Sequence, residues 1–385
     1  MSGERLIVLK FGGSVLRSEA TLRLAVHEIY RWRRDGYRVV AVVSALAGQT
    51  DELLRKSRRI CPSAAPESVA ALVSLGELQS AALLGLHLDR AGVSACTLTP
   101  AAIRLVATRH PLDALPVSLN DSVLRKALDR HGVVVVPGYV AQNHAGQTVA
   151  LGRGGSDLTA LFLAQRLRPC ICRLVKDVDG LYDRDPANAG AAAKRYGVAT
   201  WEDALRADGT IVQHKAVEFA RAHELEFELG GLNAVSPTRI GAGPTTFSAP
   251  DSAAPLRVAL LGLGTVGGGV YELLRQMPEA FEVVAAAVRN PTKDREPAAA
   301  PHLIASSAIS AATCGADVVV EAIGGDDPAC ATIEGALLSG AHVVSANKAV
   351  IADAGPRLRR LAKTTERALR YSAAVGGSMP LLEQV

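Results

Sequence analysis

Three loops in the first half of the chain carry residues able to handle phosphate. In VLKFGGSVL (8–16), Lys10 stands just ahead of Gly12, Gly13 and Ser14. Bare glycines let backbone N–H groups approach phosphate oxygens, and the lysine adds a point charge. This is not a Walker loop, in which the lysine follows the glycines. In LGRGGSDLTALFLA (151–164), Arg153, Ser156 and Asp157 crowd a second glycine turn ahead of an apolar helix. An arginine clamps a carboxylate with two hydrogen bonds, and a helix N-terminus favours anions. Asp157 could orient a ligand's ammonium or organise a Mg²⁺ complex. LVKDVDGLYDRDP (174–186) places Asp177 and Asp179 in a loop after a strand. Each loop alone could be an ordinary turn, but three at strand ends point to one site.

A fourth glycine turn lies far downstream, in LRVALLGLGTVGGGVYELL (256–274). A strand, Gly262, Gly264, Thr265, Val266 and Gly267, and then a helix are what a dinucleotide pyrophosphate requires. The next apolar run, FEVVAAAV (281–288), ends in Arg289 rather than in the acid that grips an adenosine ribose. Arg289, with Lys293 nearby, suits a 2′-phosphate and therefore NADP(H), with NAD(H) as the alternative. A solvated basic loop is the plain competing reading.

Elements must exist to position these turns, and the sequence supplies them. RLIVLK (5–10), RVVAVVSA (38–45), GVVVVPGYV (132–140) and CRLVKDV (172–178) read as buried strands, and EATLRLAVHEIYRWRRDG (19–36) as a helix closed by Gly36. Continuous apolar strands alternating with helices imply parallel sheets covered on both faces. At 385 residues, two domains are expected. GAGPTTFSAPDSAAP (241–255) offers little to pack, so 246–255 is read as a linker between domains at 1–245 and 256–385.

Composition narrows the function classes. A net charge of +4 with scattered arginines argues against nucleic acid as the main partner. No uninterrupted apolar run is long enough to span a bilayer, and the charged N-terminus lacks a secretory signal. The six cysteines are dispersed. Cys170 and Cys172 lack a second Cys/His pair at zinc spacing, so they read as buried reduced thiols in a cytoplasmic protein, and no metal site of the chain's own is expected.

With these residues in view, the chain resembles the aspartate kinases within the amino-acid kinase family over about residues 5–245. The KFGG turn is generic; VVSALAGQTDELL (42–54), SLGELQSAALL (74–84), PGYVAQN (137–143) and LGRGGSD (151–157) are more specific. The resemblance implies a three-layer α/β sandwich that transfers the ATP γ-phosphoryl group, with Mg²⁺, to the β-carboxylate of aspartate. It implies that Lys10 stabilises the transferring phosphoryl, and that Thr50, Glu77, Arg153, Ser156 and Asp157 hold aspartate, with Tyr139 where phenylalanine is usual. Lys176, Asp177, Asp179 and Tyr182 would line the nucleotide site. Five positions depart from the pattern: Ser14-Val15 replaces Thr-Ser, Lys176 replaces a threonine, and Ile211 and Ala187 each replace a basic residue. Ile211 leaves a charge missing from nucleotide binding, and Arg184 or Lys176 could compensate for the arginine missing at Ala187.

Residues 256–385 resemble homoserine dehydrogenase, through LGLGTVGGGV, ADVVVEAIGG (316–325), AHVVSANKAVIA (341–352) and YSAAVGGSMPLLE (371–383). A Rossmann-type doubly wound parallel sheet is implied. Ser345, Asn347 and Lys348 would sit beside the nicotinamide, with Lys348 near the reacting carbonyl, and Gly376 and Gly377 would close round the cofactor. That family's substrate domain and the kinases' regulatory domains are missing from the sequence. The expectation is an aspartate kinase fused to the cofactor half of a homoserine dehydrogenase, a homo-oligomer acting on small molecules. The competing readings are a nucleotide-binding assembly protein with a decayed kinase site, and a kinase for another small carboxylate.

Overall fold

A computed structural model describes residues 5–371 except 187–192, 208, 210, 233, 235, 249–254, 279, 293–302 and 326. The chain divides into two compact units, 1–251 and 252–385.

The first unit is built on a nine-stranded sheet. Its order is Thr246–Phe247, Tyr196–Thr200, Thr238–Gly241, Phe227–Gly230, Ile171–Val175, Leu6–Phe11, Arg38–Val43, Val133–Pro137 and Ala95–Thr97. The central strands are parallel and buried on both faces. Alternation along Leu6–Phe11 shows why. Leu6 and Val8 enter the core beneath the helices Gly155–Leu167 and His214–Ala222, while Ile7, Leu9 and Phe11 enter that beneath Leu22–Arg34 and Pro66–Arg90. Lys10 shares the parity of Leu6 and Val8, so it stands on the face covered by Gly155–Leu167. This is the three-layer sandwich.

Three expectations need correcting. The run 132–140 is not one strand. The chain leaves the large sheet at Gly138, and Val140–Gln142 joins a separate four-stranded sheet with Val106–Thr108, Leu115–Ser118 and Thr148–Ala150. Tyr139, at the corner, has a φ of 65°. Within the stretch read as a linker, Thr246–Phe247 instead pairs antiparallel with Tyr196–Thr200, and Phe247 stacks on Tyr196. Burial also separates the two neighbouring cysteines. Cys172 lies under the helix layer, whereas Cys170 precedes the strand and is exposed.

The second unit is a parallel sheet in the order Ile304–Ala305, Phe281–Ala287, Leu256–Leu261, Val318–Glu321, His342–Ser345, Leu369–Arg370. By rank along the chain this is 3-2-1-4-5-6, the Rossmann-type doubly wound order, whose direction reverses between Leu256–Leu261 and Val318–Glu321. The helices Thr265–Arg275, Ala308–Ala312, Ala329–Leu338 and Lys348–Thr364 connect the strands. Two apolar clusters occupy its two faces.

Candidate functional sites

In the first unit, strand ends and helix starts surround a cavity of about 800 Å³. Its walls include Lys10, Gly12, Gly13, Ser14, Thr50, Glu77, Tyr139, Arg153, Ser156, Asp157, Lys176 and Asp177. Asp179 and Tyr182 are not among its walls. They bond to each other instead, the Tyr182 hydroxyl donating to the Asp179 carboxylate at 3.1 Å. Arg184 pairs with its neighbour Asp183 at 3.4 Å. Ala187 lies outside the described residues. Ile211 and Gln213, from the segment before His214–Ala222, complete the lining.

At the cavity floor, Asp157 is held between two ammonium groups. Lys10 Nζ lies 2.6 Å from Oδ1, and Lys176 Nζ donates to Oδ2 at 2.8 Å. All three side chains are nearly inaccessible to water. Burial alone would raise the carboxyl of Asp157, but the two lysines outweigh it and hold it at about 2. Burial also dominates Lys10, which falls to about 8, with Asp157 raising it and Lys176 lowering it. Two cations around one anion leave a surplus positive charge where the anion has no capacity left to neutralise it.

Glu77 opposes this cluster from the long helix Pro66–Arg90. It is 3% exposed, and its Oε2 has no hydrogen-bond partner. Burial pushes its carboxyl up to about 7, against smaller lowering effects of two backbone hydrogen bonds and Lys10. A buried carboxylate oxygen without a donor is costly, and a ligand ammonium would relieve it. Tyr139, pushed up to about 12 by burial and by Glu77 and Asp113, keeps its proton at neutral pH.

The substrate-side turn is braced by a residue the sequence reading passed over. Lys215 donates to the Asp113 carboxylate at 2.5 Å and to the carbonyls of Ala114 and Leu151 at 3.1 and 2.8 Å. Gly152, at φ 73°, leaves Asp113 the space it fills, since a Cβ there would meet Asp113 Oδ1 at 2.2 Å. Arg153 is thereby presented, exposed, at the cavity mouth. No glycine turn or charge pair marks Lys215 in sequence; its partners come from distant loops.

In the second unit, a cavity of about 500 Å³ sits at the carboxyl ends of the strands, lined by Gly262, Gly264 and Arg289 and by Ala322, Ile323 and Gly324. The glycine turn fits a pyrophosphate. A Cβ on Gly267 would lie 1.8 Å from the carbonyl oxygen of Gly262, so Thr265–Arg275 can start this close to the strand only with glycine there. Gly262 has a φ of 99°, and a Cβ on Gly264 would meet nothing within 4 Å, leaving room for phosphate oxygens. Thr265 and Val266 open the helix behind this turn, and Val266 is exposed. Ser345 and Asn347 are buried at the end of the adjacent strand, and Lys348, the first residue of the next helix, is exposed. Lys293, Gly376 and Gly377 lie outside the described residues.

Residues 5–227 match the model for the amino acid kinase family. The chain belongs to the amino acid kinase family. Residues 262–372 of this amino acid kinase match a second model, homoserine dehydrogenase, NAD binding domain. The resemblances carried by KFGG, LGRGGSD and LGLGTVGGGV therefore each have a family model behind them. The aspartokinase of Pseudomonas aeruginosa is 34% identical over 218 residues, covering 56% of this chain and 53% of its own length. The aspartokinase of Mycobacterium tuberculosis is 27% identical over 302 residues, 75% of this chain and 71% of that one. The crystal structure of aspartate kinase from Synechocystis superposes with a TM-score of 0.54 and 29% identity, over 65% of this chain and 42% of that one. The chain thus spans about half the length of relatives such as the Pseudomonas protein.

Proposed function

We propose that the first unit phosphorylates the β-carboxylate of L-aspartate with ATP and that the second binds a nicotinamide dinucleotide. The observation that carries the kinase reading is the buried Lys10–Asp157–Lys176 cluster sharing one cavity with Glu77, whose Oε2 has no hydrogen-bond partner. Phosphoryl transfer needs positioning and charge neutralisation more than covalent chemistry. The attacking oxygen belongs to a carboxylate already ionised at neutral pH, so no general base is required. The new O–Pγ bond forms as the bond from Pγ to the bridging oxygen breaks, ADP leaves with that electron pair, and no proton moves. Lys10 and Lys176 neutralise the phosphoryl oxygens, Asp157 fixes both ammonium groups, and Gly12, Gly13 and Ser14 offer backbone N–H groups. Arg153 and Ser156 take the substrate's α-carboxylate, Thr50 closes the same side, and Glu77 takes its ammonium. Mg²⁺ would be held chiefly by the nucleotide's own phosphates, with Asp177, which pairs with Arg17 at 3.5 Å, an acid of the same cavity wall. The presence of Lys176 in the cavity favours an active site over a decayed one, because it restores the charge that Ile211 lacks.

The test uses ATP, Mg²⁺, aspartate and hydroxylamine. Formation of aspartyl hydroxamate is expected, and its absence with intact ATP binding would exclude aspartate as acceptor. For the second unit, Arg289 at the cavity wall supports NADP(H) over NAD(H). Six free cysteines support a reducing, cytoplasmic setting.

Self-association is supported by the helix Pro66–Arg90, which is apolar on nearly every side. Its inner face packs into the core and presents Glu77 to the cavity. Its outer face exposes Ala71, Leu75, Ala82 and Leu86, with Leu75 at 53% and Leu86 at 65%. In a twofold antiparallel pairing of two copies, Leu75 falls opposite Ala82 and Leu86 opposite Ala71, large against small. The double variant Leu75→Glu/Leu86→Glu is expected to halve the particle mass in sedimentation analysis. An unchanged mass would exclude this face.

A further inference from the structure

The second unit contains a buried carboxyl group that neither the glycine turn nor the SANK motif accounts for. Glu321 ends the strand Val318–Glu321, is fully buried, and has no cationic partner among the described residues. A carboxyl group in such a place is costly unless donors surround it. Here the donors come from two segments. The Ser345 hydroxyl donates to Oε2 at 2.6 Å, and the Ile323 backbone N–H to Oε1 at 2.8 Å. The Asn347 amide reaches Oε1 at 3.4 Å while donating to the Gly325 carbonyl at 2.6 Å. The register makes this possible, because Glu321 and Ser345 are direct partners in adjacent parallel strands.

Residues 322–324 line the cavity beside the point where strand order reverses. The second segment ends the neighbouring strand, where Asn347 caps Lys348–Thr364, its Oδ1 accepting from the Val350 N–H at 3.3 Å. In a doubly wound sheet the dinucleotide crosses this point. Its adenosine half lies over the first two strands, here near Arg289, and its other half over the fourth and fifth. The Glu321 side chain bonds only within and between those latter two strand ends, while its backbone pairs with Leu261 of the first strand.

Resting on the dinucleotide reading above, we propose that Glu321 is a positioning residue for the nicotinamide half of the cofactor. It locks the 322–325 turn to Ser345 and Asn347, so that both segments are set before the ligand arrives. A group acting this way affects one half of the ligand and spares the other, which a general loss of folding would not do.

The experiment is calorimetric titration of the full chain with NADP⁺ and with 2′-phospho-ADP-ribose, the same molecule without nicotinamide. In Glu321→Ala, NADP⁺ affinity is expected to fall about 10- to 100-fold, with 2′-phospho-ADP-ribose unchanged within about twofold. Glu321→Asp, a gentler change that keeps the carboxylate but shortens its reach, is expected to show the same split at smaller amplitude, and it decides the matter if Glu321→Ala does not fold. Glu321→Gln, which retains an acceptor for the Ile323 N–H, should recover part of the loss. Equal losses for both ligands would overturn the proposal in favour of a general structural role, as would no loss for either. Failure of the unaltered chain to bind either ligand would instead overturn the dinucleotide reading on which the proposal stands.

Discussion

Replacing Lys176 with threonine is expected to slow aspartyl hydroxamate formation about 10²- to 10³-fold, leaving the KM for aspartate within a few-fold. Lys176 lies 2.8 Å from Asp157 Oδ2 while Lys10 holds Oδ1, so the variant removes one of two cations. Asp157 would then neutralise Lys10 alone, and the surplus positive charge at the floor would vanish. The loss should appear in kcat, because that charge is needed most when the phosphoryl group is in transit. Ile211 lines the same cavity, and the chain's resemblance to its family marks that position as one where lysine is usual. Lys176→Thr combined with Ile211→Lys should therefore regain part of the rate. A loss below about threefold in the single variant would remove Lys176 from the chemistry.

Glu77→Gln should cripple binding and strengthen the fold. Losing the charge that takes the substrate's ammonium is expected to raise the KM for aspartate about 10- to 100-fold. The stability effect follows from the sign of the shift. The Glu77 carboxyl sits at about 7 in the folded chain, above its ordinary value of 4.5, so the native state holds its proton more tightly than the unfolded one. Stability is full below about 4.5 and is lost as pH rises through about 7. Above that pH the ionised group costs about 3 kcal/mol, and glutamine removes the cost. Thermal unfolding at pH 8 should give a higher Tm for the variant, with the difference gone at pH 4.5. An unchanged or lower Tm at pH 8 would mean that Glu77 is solvated or paired. In the unaltered chain, kcat/KM for aspartate should peak between about 7, where Glu77 ionises, and about 8, where Lys10 loses its proton.

Much of this site is legible in the sequence because glycine turns and the charges beside them are local signals. KFGGS, LGRGGSD and LGLGTVG each announce a turn whose geometry the fold preserves. Glu77 stood out only through resemblance, since a lone glutamate in an apolar helix carries no spacing signal. Contacts between distant segments were out of reach. Nothing in LVKDVDG says that Lys176 will meet Asp157 while Asp179 and Tyr182 turn aside to bond to each other. Lys215 and Glu321 were missed for the same reason, as their partners are set by strand order and register. The strand ending in Pro137 was read too far, because PGYV continues an apolar run and a corner at Tyr139 breaks no composition rule. Cys170 and Cys172 look alike in sequence but fall on either side of the boundary where the strand enters the core.

The order of strands in the nine-stranded sheet also bears on how the protein is made. Leu6–Phe11, which leaves the ribosome before either of its partners, is flanked in the finished sheet by Arg38–Val43 and Ile171–Val175. The first neighbour emerges soon after it, but Ile7 must wait for Ile171. Until then one edge of this interior strand is unpaired, and Lys10 has neither Asp157 nor Lys176 beside it. Such distant pairing is slow and exposes sticky edges. Catalytic charge assembly and closure of the sheet are therefore the same late event in the life of the nascent chain.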